Sequence, residues 1–388
     1  MSPACRMRLA ALLLAWAMLM MLASAPHAEA ARLIEAPESA EAAILKEVGS
    51  GAVLMEKNAD ARLPMASTTK IMTALVVLER CSPDEVFTVP DEAVGVEGSS
   101  VYLERNELMS VRDLLYGLML ASGNDAAVAL AVHAAGSVNA FVRLMNEKAE
   151  QMGLRDTHFV TVNGLHDPEH YTTARELAAV TEEALRTPGF STIVSTRYHQ
   201  TETGSHIRTF KNKNALLWDY EGAFGIKTGY TGAAGRCLVF GAEREGMTLV
   251  GVLLNCRPMF EEAVSLMDKA FSSYSAQRLL DPKGDVFYAE VKNSAETHLE
   301  LAPKECIIEL IPKGTGLDPK LRIEVYEPVR LPIEVSDTVG RIFVYDGERY
   351  LGSTELTALN AVHERGLGWW FRRTAAFLSG KTFFGEQG

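Results

Sequence analysis

Cysteine is scarce in this chain, and none of the five stands near another. Cys5, Cys81, Cys237, Cys256 and Cys306 form no C-x-x-C pair, which excludes a dithiol redox motif or a cysteine-paired metal knuckle. A basic surplus is missing too: 38 Lys and Arg stand against 50 Asp and Glu, a formal net charge of −12. That excludes nucleic acid as a partner, because affinity for a phosphate backbone needs clustered cations. Long apolar runs are confined to Leu9–Leu22, which follows Arg6 and Arg8 and precedes Ala28-Glu29-Ala30. A basic start, a short apolar core and an A-x-A site make residues 1–30 a secretory signal peptide. The core is too short and too closely followed by small residues for a retained membrane span. The expected location is therefore extracytoplasmic.

What the chain does have is three short motifs in a fixed order. The first is Ser67-Thr68-Thr69-Lys70, followed by the apolar run Ile71–Leu78 that reads as a buried helix. With a helix starting near Ser67, Ser67 and Lys70 stand at i and i+3 and share one face. A serine hydroxyl needs a base to become a nucleophile. A lysine serves only if burial and neighbouring cations lower its pKa. The second motif, Ser122-Gly123-Asn124, falls in a turn between two helical patterns, Val111–Leu120 and Asp125–Val132. Asn124 there either caps the second helix or faces a substrate.

The third motif, Lys227-Thr228-Gly229, stands just before a hairpin whose strands are Cys237–Ala242 and Met247–Leu254, turning at Glu245-Gly246. An extended peptide can lie along such a strand, and a glycine allows close backbone approach. Lys227 supplies charge and Thr228 a hydroxyl for a carboxylate. The backbone N–H groups of Ser67 and Tyr230 form a natural oxyanion pair. Counting outward from the turn sets Leu253 opposite Cys237, so no Cys237–Cys256 disulfide is expected. His166 and His170 are four apart in a proline-containing loop without a third ligand, and read as loop histidines. No metal or cofactor is implied.

Taken together, the three motifs resemble the active site of penicillin-binding proteins and serine β-lactamases. The chain from about Ala43 onward is similar to the low-molecular-mass penicillin-binding proteins of the D-alanyl-D-alanine carboxypeptidase type. Gly51–Asp60 resembles the family's opening strand and turn, Asn163-Gly164-Leu165-His166-Asp167 its loop after the helices, and Asn212–Trp218 the approach to the third motif. The resemblance implies an α/β transpeptidase-like fold with a second, small all-β domain. It makes Ser67 the nucleophile, Lys70 its base, Ser122 and Asn124 one wall, and Lys227 with Thr228, Gly229 and Tyr230 the other. The family often places an arginine against the substrate carboxylate; Lys213 takes that place here, keeping the charge without the planar fork. The implied substrate is a peptidoglycan pentapeptide ending in D-Ala-D-Ala, with β-lactams as covalent inhibitors. A D,D-endopeptidase, a weak β-lactamase, or a binding protein with little turnover are the alternatives. Class A β-lactamases resemble this site but add a Glu-x-x-Leu-Asn loop, and none occurs between Asn124 and Lys227. The nearest stretch, Glu176–Val180, reads as a helix.

The length exceeds what one core usually serves. Helix-rich sequence, the catalytic domain, runs over residues 31–275. Short alternating strands then mark a small β domain over 282–355, at Asp285–Val291, Thr297–Leu301, Cys306–Ile311, Leu321–Glu327 and Arg341–Tyr345. Residues 356–388 change character again, with Trp369-Trp370-Phe371-Arg372-Arg373, Phe377-Leu378 and Phe383-Phe384. Aromatics beside arginines suit a helix lying in a bilayer surface, on the outer face of the membrane.

Overall fold

The computed structural model describes residues 34–364 apart from 292, 293, 295, 297 and 327–330. The expected signal peptide, residues 1–30, and the aromatic cluster from Trp369 lie outside the described residues. The chain divides into two units, the first ending at Ser273 and the second beginning at Tyr274.

The first unit is built on a five-stranded antiparallel sheet. β1 (Ala40–Glu47) and β2 (Val53–Lys57) open it. The short pairs β3 (Val86–Thr88) with β4 (Leu108–Ser110) and β5 (Tyr198–Gln200) with β6 (Thr209–Lys211) lie in the helical region. β7 (Ala223–Thr231), β8 (Gly235–Arg244) and β9 (Met247–Cys256) complete the sheet in the order β2-β1-β9-β8-β7. β8 and β9 are buried almost throughout, as strands covered on both faces require. Their two-residue turn has positive φ at Glu245 and Gly246, the conformation that matches strand twist. It closes between Arg244 and Met247 and sets Leu253 opposite Leu238, one residue away from the expected Cys237 pairing. Both Cys237 and Cys256 are buried free thiols.

Against the sheet lies a helical core. The helix Lys70–Arg80 is buried from Lys70 through Val77. The helix Asn124–Ala135 is buried from its first residue through Ala131. The apolar run Ala126–Val132 has little facial bias and makes this a central helix, because almost every face has a neighbour. Thr173 caps the helix Ala174–Arg186 by accepting the Glu176 N–H, and this helix contains the Glu176–Val180 stretch.

The second unit carries its own core of Leu280, Leu299, Leu301, Ile342, Val344 and Leu356. Its main sheet runs β11 (Phe287–Glu290), β12 (His298–Pro303), β16 (Arg349–Ala358), β15 (Thr338–Asp346) and β14 (Pro319–Val325), in that order. β10 (Tyr274–Leu280) pairs with β13 (Ile307–Pro312). β16 continues through the buried Leu356, and single bridges reach Val362 and Glu364. Strand pairing thus extends past the point at which the composition changes.

Candidate active site

Ser67 lies in a short 3-10 turn, Ala66–Thr69, that feeds the central helix. Ala66 is held at φ +49, a region unfavourable to a residue with a Cβ that persists only where surroundings over-determine it. Thr68 Oγ donates to the Met65 carbonyl at 2.6 Å, and Thr69 Oγ donates to the Ala66 carbonyl at 2.8 Å. Thr68 and Thr69 thus lock the turn that displays Ser67.

Lys70 begins the helix and is fully buried. Its Nζ reaches Ser67 Oγ at 3.0 Å, Asn124 Oδ1 at 2.7 Å and the Asn163 carbonyl at 2.6 Å. Burial, then the charges of Lys227 and Lys213, push its pKa well below the usual lysine value. The two carbonyl oxygens can only accept. A neutral lysine therefore sends its two N–H groups to them and turns its lone pair toward the Ser67 hydroxyl. Asn163 belongs to the Asn163–Asp167 loop noted in the sequence, but its carbonyl has no sequence signature. Gly164, at φ +85, is required there because an added Cβ would lie 1.9 Å from the Ala66 carbonyl oxygen.

Ser122 ends a π-turn, Gly117–Ala121, at φ +64. Asn124 is the first residue of its helix, not its cap, and Gly123 precedes it. The Asn124 side chain is free of capping and instead bridges Lys70 to the Glu97 carbonyl, donating to the latter at 2.6 Å. Asn124 N donates to the Ser99 carbonyl at 2.7 Å. The segment Glu97–Ser99 is therefore a further border of the site that the motifs did not reveal.

Lys227, Thr228, Gly229 and Tyr230 lie within β7, the edge strand, and not in the approach to it. Pairing with β8, Lys227 to Val239 and Thr228 to Leu238, supplies the ladder that the glycine-containing sequence did not advertise. At Gly229 an added Cβ would come within 3.1 Å of Ser67 N, so the strand edge passes directly beside Ser67. Lys227 is buried, donates to the Thr228 carbonyl at 3.0 Å, and is lowered to about 7 by burial and Lys213. Lys213 opens to solvent, donates to Ser99 Oγ at 3.2 Å, and is lowered by desolvation. Tyr230 is exposed, with the Arg236 guanidinium 5.7 Å from its ring centre.

This arrangement has known counterparts. The sequence profile of the D-alanyl-D-alanine carboxypeptidases matches residues 29–257, and that of the penicillin-binding protein 5 C-terminal domain matches residues 276–364. The chain is 31% identical over 370 residues to the D-alanyl-D-alanine carboxypeptidase DacF of Bacillus subtilis, covering 92% of this chain and 95% of that protein. It is 33% identical over 364 residues to DacC of Escherichia coli, covering 88% and 89%. Among solved structures, penicillin-binding protein 5 of Haemophilus influenzae superposes with a TM-score of 0.69 at 29% identity, over 85% of this chain and 100% of that one. The Streptomyces K15 DD-transpeptidase gives 0.58 at 36% identity, over 61% and 99%. With a serine beside a buried lysine on a penicillin-binding fold, and with these matches over most of its length, this chain belongs to the D-alanyl-D-alanine carboxypeptidases of peptidase family S11 and is a serine-type hydrolase.

Proposed function

We propose that Ser67 carries the acyl group when the terminal D-Ala is removed from peptidoglycan pentapeptides, and that Lys70 is its base. The observation that carries this is the lysine Nζ, buried, with two carbonyl acceptors and the Ser67 hydroxyl as its three partners. Ser67 Oγ attacks the carbonyl carbon between the two D-alanines while Lys70 Nζ takes the hydroxyl proton. The Ser67 and Tyr230 N–H groups hold the developing oxyanion. The C–N bond then breaks, and a proton passes through Ser122 to the departing D-Ala amine. Water then attacks the ester; Lys70 Nζ takes a proton from it and passes that proton to Ser67 Oγ as the C–O bond breaks, which restores the Ser67 hydroxyl and the neutral lysine. Lys213 and Thr228 receive the substrate's terminal carboxylate, Lys227 supports them with its charge, and Asn124 donates to the substrate amide. A β-lactam follows the same first step, its strained amide occupying the place of the scissile bond.

Mass spectrometry of the penicillin-treated protein tests this. One adduct on Ser67 is expected, absent in Ser67→Ala; labelling that survives this change or maps to Ser122 overturns the assignment. Release of D-Ala from a pentapeptide separates turnover from mere acylation.

Residues 1–30 act in this proposal as an export signal, and the segment containing Trp369–Arg373 as a surface-seeking anchor that keeps the enzyme beside its wall substrate. Support comes from composition: an apolar core with an A-x-A end, and aromatics beside arginines.

A further inference from the structure

His170 belongs to none of the three motifs, yet it is buried to 2% exposure beside the nucleophile turn. Its Nδ1 receives the Val160 N–H at 2.9 Å and the Thr161 N–H at 3.3 Å. A ring nitrogen that accepts carries no proton, so the proton must sit on Nε2. Nε2 lies 2.7 Å from Thr69 Oγ. The Thr69 hydroxyl in turn gives its own proton to the Ala66 carbonyl at 2.8 Å. The chain of donors has one consistent direction: backbone N–H to imidazole, imidazole to hydroxyl, hydroxyl to carbonyl.

That carbonyl is the other end of the peptide group that carries the Ser67 N–H. The peptide is planar and trans, so aiming its oxygen inward aims its N–H in the opposite direction. The Ser67 N–H is the group the proposed mechanism uses to hold the oxyanion. Ala66, at φ +49, sits in a sparsely populated conformation that relaxes unless held. We propose that His170, as the neutral Nε2–H tautomer, is a positioning residue that holds the Ala66–Ser67 peptide plane through Thr69 and so aims the Ser67 N–H at the reacting carbonyl.

The surroundings suit a ring that is neutral at neutral pH. Burial lowers the His170 pKa to about 4; Asp167 works against this, and His158 and His166 act with it. Protonation would place a second N–H against the Val160 and Thr161 donors and break the chain at its first link.

The inference rests on Ser67 being the nucleophile. Its test follows benzylpenicillin acylation of the full chain in stopped flow, resolving the noncovalent dissociation constant from the acylation rate constant, with the labelled residue mapped in each variant. In His170→Ala the acylation rate constant should fall roughly 10- to 100-fold, below the ~10²–10³ found when an oxyanion donor is deleted outright, because the donor is misaimed and not removed. The dissociation constant should change less than about threefold, since the ring touches no substrate. His170→Gln, whose amide N–H can reach Thr69, should recover most of the rate. Thr69→Val should match His170→Ala, and the double variant should be no slower than either single one. A wild-type rate in Thr69→Val, a loss confined to binding, or a glutamine variant as slow as the alanine one overturns the proposal. Nitrogen-15 NMR of the wild-type imidazole keeps the proposal testable even where a variant does not fold: an Nε2–H neutral ring supports it, and an Nδ1–H tautomer or an imidazolium at neutral pH overturns it. Labelling away from Ser67 in the wild type defeats the mechanism itself, whereas slow labelling still on Ser67 isolates the role of His170.

Discussion

At the scale of single residues the site is an arrangement of protons. Lys70 must be neutral to accept one, and Lys227, lowered to about 7, is the first of the charges that help keep it so. Activity should therefore rise with pH as Lys70 loses its proton and fall again as Lys227 loses its charge. Replacing Lys227 by Gln removes a neighbouring cation, so the Lys70 pKa should rise and the acid limb of the acylation profile should move to higher pH. A limb that stays in place or moves down would show that Lys227 does not face Lys70 electrostatically. Lys70→Ala should cost about 10²–10⁴-fold in acylation, the usual range for losing a general base. His170 offers a stability readout. Its folded pKa of about 4 lies below the unfolded value of 6.5. Its contribution is thus fully present above 6.5 and is lost as the pH falls toward 4, since the unfolded chain binds the proton first. The interval corresponds to about 3 kcal/mol. Urea unfolding of His170→Gln should show a correspondingly flatter dependence across that window.

Elements decide where those residues meet. The edge strand β7 passes beside Ser67 N at Gly229, where a Cβ would stand 3.1 Å from both Ser67 N and the Ala66 Cβ. Gly229→Val should push strand and turn apart and lower acylation more than about tenfold, because displacements near 1 Å cost about that or more. The variant should still unfold cooperatively, which thermal melting followed by circular dichroism will check. On the opposite wall, the carboxylate of Asp125 receives the N–H groups of Val101 and Leu103 and the Ser100 hydroxyl. Neighbouring Asn124 is thereby tied to the loop that brings Ser99 to Lys213.

For the whole molecule, each of the two units has its own apolar core, and every residue assigned a chemical role lies before Ser273. Deleting residues 365–388 leaves every described strand pairing intact, including the Ser294–Glu364 bridge. The shortened enzyme should release D-Ala at the full-length rate but remain in the soluble fraction after cell lysis. Serine at Trp369, Trp370, Phe371 and Phe377 should have the same effect, because interfacial binding depends on buried apolar area. If the shortened enzyme still sediments with membranes, the anchor lies elsewhere, with an uncleaved N-terminal segment the next candidate.

Much of this was readable from residue order alone, for physical reasons. The i, i+3 spacing of Ser67 and Lys70 is local, and helix geometry converts it into a 3.0 Å contact. The apolar run after Lys70 declares a buried helix, and Glu245-Gly246 declares a hairpin. Strand alternation after Leu280 anticipated five of the strands in the second unit; β10, whose partner β13 lies far along the chain, and β16, which forms a hairpin with β15 and also pairs with β12, were not anticipated. What residue order could not convey is contact across distance. Asn163 contributes a backbone carbonyl, which every residue has. Asn124 turns from a possible cap into a lysine partner because the central helix brings Lys70 to it across 54 positions. His170, a loop histidine by its flanking residues, is buried against Thr69 because the loop folds back 101 positions onto the turn that carries Ser67. The sequence by itself determined which groups could do the chemistry and which elements would carry them. Only the tertiary structure decided their pKa values and their aim, because desolvation, neighbouring charge and the direction of a peptide plane are properties of what surrounds a residue in space.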